Sequence, residues 1–185
     1  GYGLVRLQVR KLSDGKYRVK SYKNYKSSPA DKNGLQSNII YAITEGEPTS
    51  MWIGTRGGGL YRLNTLTHAF ESYRSNPGDL NSLSNNDILS LHKSDNQQLW
   101  IGTSGGLNRV DMATNPFQFH HYTEKDGLPN NTIHAIMEDE YGKIWISTNK
   151  GLARVDRINK QVRSYLQSDG LLNNEYTDGA SCHGQ

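Results

Sequence analysis

Trp100-Ile101-Gly102-Thr103 decides the reading, because the same tetrad stands on either side of it as Trp52-Ile53-Gly54-Thr55 and Trp145-Ile146-Ser147-Thr148, at separations of 48 and 45 residues. Seventeen residues before each Trp comes a leucine in a turn-like setting: Asn33-Gly34-Leu35, Asn81-Ser82-Leu83 and Asp126-Gly127-Leu128. Three residues after each of those leucines stands an asparagine (Asn38, Asn86, Asn131), and two further on an isoleucine (Ile40, Ile88, Ile133) opens a short apolar run. Self-similarity at a fixed spacing of this length marks one supersecondary unit used repeatedly, each burying its faces on its neighbours.

Outward from the tryptophan the unit completes itself. Gly59-Leu60-Tyr61-Arg62, Gly106-Leu107-Asn108-Arg109 and Gly151-Leu152-Ala153-Arg154 follow the three tetrads, and Gly3-Leu4-Val5-Arg6 is the same element of a preceding copy. A fourth copy opens at Asp169-Gly170-Leu171, with Asn174 and Tyr176 in phase. Period-two alternation predicts four strands per unit. The first runs over 38–45, 86–93 and 131–138, the second centres on the Trp, the third carries Gly-Leu-x-Arg, and the fourth is aromatic and ends at Tyr73, Tyr122 and Tyr165. In the hairpin between the first two strands, Gly142 fills the place where a tight turn needs positive φ. Insertions collect after the fourth strand: ten residues separate Tyr73 from Leu83, against six in the other two copies.

Four short antiparallel strands in a blade-sized repeat define an all-β fold, a β-propeller fragment of about three full blades plus flanking partial blades. The expected division is 1–35 for the second half of a preceding blade with its loop, 36–83, 84–128 and 129–171 for three blades, and 172–185 for the start of a next, terminal blade. Trp52, Trp100 and Trp145 are expected to fill the wedge between neighbouring sheets. Arg62, Arg109 and Arg154 recur in every blade, which points to a structural task such as pairing across the blade edge rather than to one unique binding site.

Composition agrees with a thin, repeated core. Only 34% of the residues are hydrophobic, mean hydropathy is -0.75, and 19 Gly and 11 Tyr stand against three Phe and three Met. The net charge of +3 arises from 21 basic and 18 acidic residues scattered along the chain, with no stripe to track a phosphate backbone, so nucleic acid is not an expected partner. The single cysteine, Cys182, makes neither an internal disulfide nor a metal pattern. No apolar stretch reaches membrane-spanning length and no leader is recognisable, so the sequence reads as a soluble part of a larger protein, with no direct membrane insertion, beginning in mid-repeat. Such an open array is expected to expose unpaired edges and apolar faces, and so to dimerise or to be completed by further blades.

Nothing in the sequence assembles a catalytic site. There is no Gly-x-Ser-x-Gly elbow, no glycine-rich loop leading into a helix, and no repeated carboxylate pair. His120 and His121 are adjacent on a strand and face opposite sides, so they do not share a metal. The acidic hairpin Glu138-Asp139-Glu140 lacks the ligand spacing of a calcium loop. No catalytic residue, metal or cofactor is therefore expected. A binding site is instead expected from positions that differ between blades, at the end of the channel where second-to-third turns and fourth-to-first loops emerge together. That places Arg56, Ser104, Asn149, Lys150, Asn38, Asn86, Asn131 and Tyr41 around the mouth, with His134 and His92 on or beside the innermost strands. Their polar and amphipathic groups suit sugar hydroxyls. For the three asparagines the alternative is a cap on the turn before the first strand.

The segment Asp126 to Arg154 follows D-G-L-P-x-N-x-[IV]-x-x-[IL]-x-[ED]-D-x-x-G-x-[IL]-W-[IV]-[GS]-T-x-x-G-L-x-R and resembles the two-component regulator propeller repeat. The resemblance extends from Gly3 to the last residues, with Asn81-Ser82, Ser147 and Glu47-Pro48-Thr49 as departures and Asn173-Asn174-Glu175-Tyr176-Thr177-Asp178-Gly179-Ala180 similar to the terminal blade. It implies a periplasmic, ligand-sensing segment of a bacterial membrane receptor, the ligand an oligosaccharide or other small molecule. It also implies a parent with further blades, a following immunoglobulin-like domain, an inner-membrane anchor and a sensor histidine kinase output. The alternative it leaves is a protein-interaction or dimerisation scaffold with another output such as a diguanylate cyclase.

Overall fold

The computed structural model describes residues 2–95 and 97–177; Asn96 and residues 178–185, and with them Cys182 and the Asp178-Gly179-Ala180 signature, lie outside the described residues. Two strands, β1 (Leu4–Lys11) and β2 (Tyr17–Tyr25), form an antiparallel sheet of their own. Three four-stranded antiparallel sheets follow. The first is β3 (Ile40–Glu45), β4 (Ser50–Thr55), β5 (Gly59–Asn64) and β6 (Phe70–Tyr73). The second is β7 (Ile88–Lys93), β8 (Gln98–Thr103), β9 (Gly106–Asp111) and β10 (His120–Tyr122). The third is β11 (Ile133–Glu138), β12 (Ile144–Thr148), β13 (Gly151–Val155) and β14 (Val162–Tyr165). The only helical pieces among the described residues are two 3-10 turns, at Glu124–Asp126 and Gln167–Asp169.

Every strand falls where the alternation places it, except that each first strand opens at the isoleucine, two residues after the asparagine. Register is the same in all sheets: Leu4, Leu60, Leu107 and Leu152 of the Gly-Leu-x-Arg strand pair with Tyr25, Tyr73, Tyr122 and Tyr165. Innermost strands β3, β7 and β11 run side by side, so consecutive sheets share an inner edge and fan outward.

The apolar cores lie between sheets, because each strand turns alternate residues to opposite neighbours. Ile53 and Tyr61 pack back on Tyr25 and Leu35, while Trp52 and Leu60 pack forward on Leu83, Leu99, Val110 and Phe119 of the second sheet. Trp100 and Leu107 do the same against Leu128, Ile133, Ile144 and Val155 of the third. Trp52 and Trp100 are fully buried. The turn leucines plug the preceding interface from the loops: Leu83 meets Trp52 and Leu128 meets Trp100, each the tryptophan of the blade before, while the tryptophan seventeen residues further on faces the next core.

Close approach explains the repeated glycines. A Cβ on Gly54 or Gly102 would stand under 3.0 Å from the Cγ2 of Ile88 or Ile133 in the next sheet. The first glycine of each Gly-Leu-x-Arg strand has positive φ (82, 88, 130 and 104° at Gly3, Gly59, Gly106 and Gly151), and any Cβ there would strike the carbonyl oxygen of the strand-ending tyrosine. In the first hairpins the positive φ foreseen at Gly142 (71°) recurs at the equivalent Thr49 (70°) and Gln97 (62°), where the sequence carries no glycine.

Candidate functional site

One irregularity repeats in the innermost strands. Ile40 pairs with Thr55 and Ala42 with Gly54, so the strand register steps over Tyr41; it steps in the same way over Leu89, between Ile88 and Ser90, and over His134, between Ile133 and Ala135. A bulge of this kind bends the strand and re-aims the extra side chain. The three bulged residues differ in chemistry, tyrosine, leucine and histidine, while their flanking isoleucines do not. Tyr41 is 41% exposed, and the other two are partly buried.

Around these bulges the turns and loops close into one end of the array. Arg56 donates its backbone N–H to the Ile39 carbonyl (3.0 Å), and Ser104 donates its own to the Asp87 carbonyl (3.2 Å). Asp87 also accepts from the Gly57 N–H through Oδ1 (2.6 Å), while Arg74 reaches the Gly57 carbonyl (3.1 Å). Asn149 Oδ1 is 2.6 Å from His134 Nε2, so the turn of the third sheet is tied to its own bulge. Lys150 anchors its backbone N–H on Thr148 Oγ1 (3.0 Å) and keeps an exposed side chain. Arg56, Ser104, Asn149, Lys150, Tyr41 and His134 thus stand at the same end of their respective blades.

The asparagines behave differently. Asn38, Asn86 and Asn131 accept through Oδ1 from the backbone N–H of Ser27, Ser75 and Glu124 (2.8, 2.8 and 2.9 Å), each two residues beyond the tyrosine that ends the preceding fourth strand. Asn174 repeats the bond with Gln167. Their side chains close the loop that leads from one blade's outer strand into the next blade's first strand, which is the capping alternative the sequence offered for them. Arg62, Arg109 and Arg154 lie over the rings of Trp52, Trp100 and Trp145 of their own blade, at 5.8, 5.9 and 5.7 Å, rather than across a blade edge. Among the described residues, only Arg62 of the three adds ion pairs, to Glu47 (3.0 Å) and Glu71 (3.5 Å).

The opposite, hairpin end holds a cleft of about 610 Å³ between the second and third blades, lined by His92, Lys93, Asp95, Glu138, Asp139 and Arg157 among others. Its central charges bind one another: Glu138 accepts from Arg157 (2.7 Å) and lies 3.2 Å from His92 Nε2 across the blade boundary. Burial opposes ionisation of Asp139, but the Trp145 indole N–H and the Lys143 and Tyr141 N–H groups outweigh it and hold its carboxyl below the usual range. Among the described residues no three His, Cys, Asp or Glu side chains are grouped to hold a metal ion. His121 spends its Nε2 on the Ser82 carbonyl (2.7 Å).

Three radially adjacent four-stranded antiparallel sheets, preceded by a two-stranded one, make this chain a β-propeller segment. Residues 82–105 and 127–150, each running from the residue before the turn leucine to the turn after the tryptophan strand, match the two component regulator propeller family. Among solved structures the chain is similar to the extracellular domain of the putative hybrid two component system BT3049 from B. thetaiotaomicron, with 26% identity, a TM-score of 0.71, and 95% of this chain covering 24% of that one. The extracellular domain of a second such system from that organism, BT4673, gives 25% identity, a TM-score of 0.69 and 90% coverage, against 23% of its length. The chain therefore spans about a quarter of each relative. A virginiamycin B lyase from Staphylococcus aureus shares the fold alone, at 16% identity, a TM-score of 0.56 and 93% coverage, against 47% of that chain. No curated protein matches the sequence.

Proposed function

We propose that this chain is a ligand-binding segment of the extracellular sensor of a bacterial two-component receptor, and that the ligand is a glycan or oligosaccharide. The carrying observation is the bulge repeated at the same point of three innermost strands with a different side chain each time, Tyr41, Leu89 and His134. An asymmetric ligand lying across the channel mouth meets all three and reads their differences. A ring for stacking, an aliphatic contact and an imidazole, with Arg56, Ser104, Asn149 and Lys150 on the adjacent turns, offer the mixed apolar and hydrogen-bonding surface that a sugar presents in return. Leu89 belongs to this set although its apolar character gave no sign of it in the sequence, and the asparagines act as tethers beneath it.

In this reading the parent is periplasmic and anchored in the inner membrane. Further blades complete the ring, the blades divide near residues 36, 84, 129 and 172, an immunoglobulin-like domain follows, the receptor works as a dimer, and a histidine kinase receives the signal. Calorimetric titration of the complete sensor region against neutral and charged oligosaccharides tests it. Binding of one class, weakened about tenfold or more by Tyr41→Ala or His134→Ala, is expected. Failure of every class to bind, together with a dimer that forms without added glycan, would favour the scaffold reading instead.

A further inference from the structure

The residue facing each Gly-Leu-x-Arg arginine across the outer hairpin changes from sheet to sheet: Lys23 opposite Arg6, Glu71 opposite Arg62, His120 opposite Arg109 and Arg163 opposite Arg154. In the first complete blade the arginine is neutralised by Glu47 and Glu71. On β1 and β2 the acid is replaced by a lysine, and like charges placed directly opposite each other repel. No carboxylate lies within ion-pair distance of Arg6 or Lys23 among the described residues.

A groove of about 240 Å³ opens there, between the two-stranded sheet and the β5–β6 turn, lined by Arg6, Gln8, Ser21, Tyr22, Lys23 and His68 without a single acid. His68 is held over it at a positive φ of 66°, with Tyr25 Oη 2.6 Å from Nδ1 and Arg6 Nη1 3.5 Å from Nε2. Arginine only donates, so Nε2 accepts from it, and Nδ1–H donates to the tyrosine: the ring is neutral. Burial first, then the charges of Lys23 and Arg6, hold its pKa below the ordinary histidine value. Ser21 donates to Gln8 Oε1 (3.0 Å), leaving the Gln8 amide protons to the groove. Guanidinium, ammonium and carboxamide donors converge on one small space.

We propose that this outer groove binds an oxyanion, the sulfate or carboxylate group of an acidic saccharide or free inorganic sulfate, through Arg6, Lys23 and Gln8, at a place separate from the channel mouth. A bound anion offsets the share of that depression due to Lys23 and Arg6, so protonation of the imidazole becomes easier on binding and affinity rises as the pH falls. The groups facing His68 are Arg6, Lys23 and Tyr25.

The test is calorimetric titration of the chain with sodium sulfate, D-galacturonate and neutral D-galactose at constant ionic strength, at about pH 5.5 and about pH 8. Sulfate is expected to bind, more tightly at the lower pH, and galactose not at all. Galacturonate binding more tightly than sulfate assigns the groove to an acidic saccharide, and sulfate binding more tightly assigns it to the free anion. Lys23→Glu, which installs the arrangement found at Glu71, is expected to weaken both anions about tenfold or more and to raise the unfolding temperature measured without them. Arg6→Gln is expected to weaken them as well, with the His68 titration followed by NMR no longer shifted by sulfate. Sulfate acting no differently from chloride, or bound equally by wild type and Lys23→Glu, overturns the proposal.

Discussion

Asn108 is fully buried, and removing its side chain tests how the blades are held together. Its Oδ1 accepts from the Ser84 N–H (2.9 Å), and its Nδ2 donates to Ser84 Oγ (2.8 Å), fixing the residue after the turn leucine against the third strand. In the preceding blade Tyr61 Oη does this work, accepting from the Gln36 N–H (3.0 Å). In the following blade the equivalent pair is Pro129 and Ala153: proline has no N–H to satisfy, and alanine offers nothing to satisfy it with. Asn108→Ala leaves the part-buried Ser84 N–H without its acceptor, at a cost of about 1–3 kcal/mol. For a chain of this length 2 kcal/mol lowers the unfolding temperature by about 4–8 °C. Ser84→Pro alone strands the Asn108 carbonyl instead. The double variant rebuilds the third blade's arrangement, so it is expected to cost less than the two single changes together, with a coupling of about 1 kcal/mol in a double-mutant cycle read by thermal and urea unfolding. Strict additivity, or a loss below about 0.5 kcal/mol for Asn108→Ala, refutes the reasoning.

Three further outcomes follow from packing and charge. Trp100→Ala is expected to cost about 3–5 kcal/mol by emptying a fully buried wedge, and Trp145→Ala, whose ring is partly exposed and stacks on Tyr165 at 5.3 Å, to cost clearly less by the same unfolding assay. Thr49→Gly is expected to stabilise the chain by about 1 kcal/mol, since a β-branched residue at φ 70° is strained, and Gly142→Ala to destabilise it by a similar amount. Asp156 is held down at about 2 by its bond to Lys143 and by the Asn159 and Ile158 N–H groups, and Asp139 is also depressed. Folded-state values below the unfolded value of 3.8 mean stabilisation that is present above pH ~4 and lost as the pH falls toward ~2. Urea midpoints are expected to fall over that window, and Asp156→Asn to flatten the fall.

Strand positions were legible because every blade repeats the same run from turn leucine through first strand and hairpin to tryptophan, and both ends of the run are buried in inter-sheet cores: Leu83 meets the Trp52 of the blade before, and Leu128 meets Trp100. The glycines of Gly-Leu-x-Arg were legible as a motif, though only the tyrosine carbonyl beside each one shows why no Cβ fits. The rest was hidden for physical reasons. An asparagine before a strand has the same composition whether it caps the preceding loop or meets a ligand, and the Oδ1 atoms of Asn38, Asn86 and Asn131 accept from N–H groups of that loop. Leu89 sits on a bulge that alternation alone reads as an ordinary strand position. Thr49 and Gln97 adopt positive φ because the hairpin geometry of the repeat overrides their local preference. The cation facing Arg6 became visible only once the register set Lys23 where Glu71 stands in the next sheet.

A crystal structure of the complete sensor region bound to its ligand tests the central claim most directly. The account predicts density across the channel mouth, touching at least two of Tyr41, Leu89 and His134, with the asparagine tethers undisturbed beneath it. A ligand seated at the hairpin end among His92, Glu138 and Arg157, or clear of all three bulges, would contradict it.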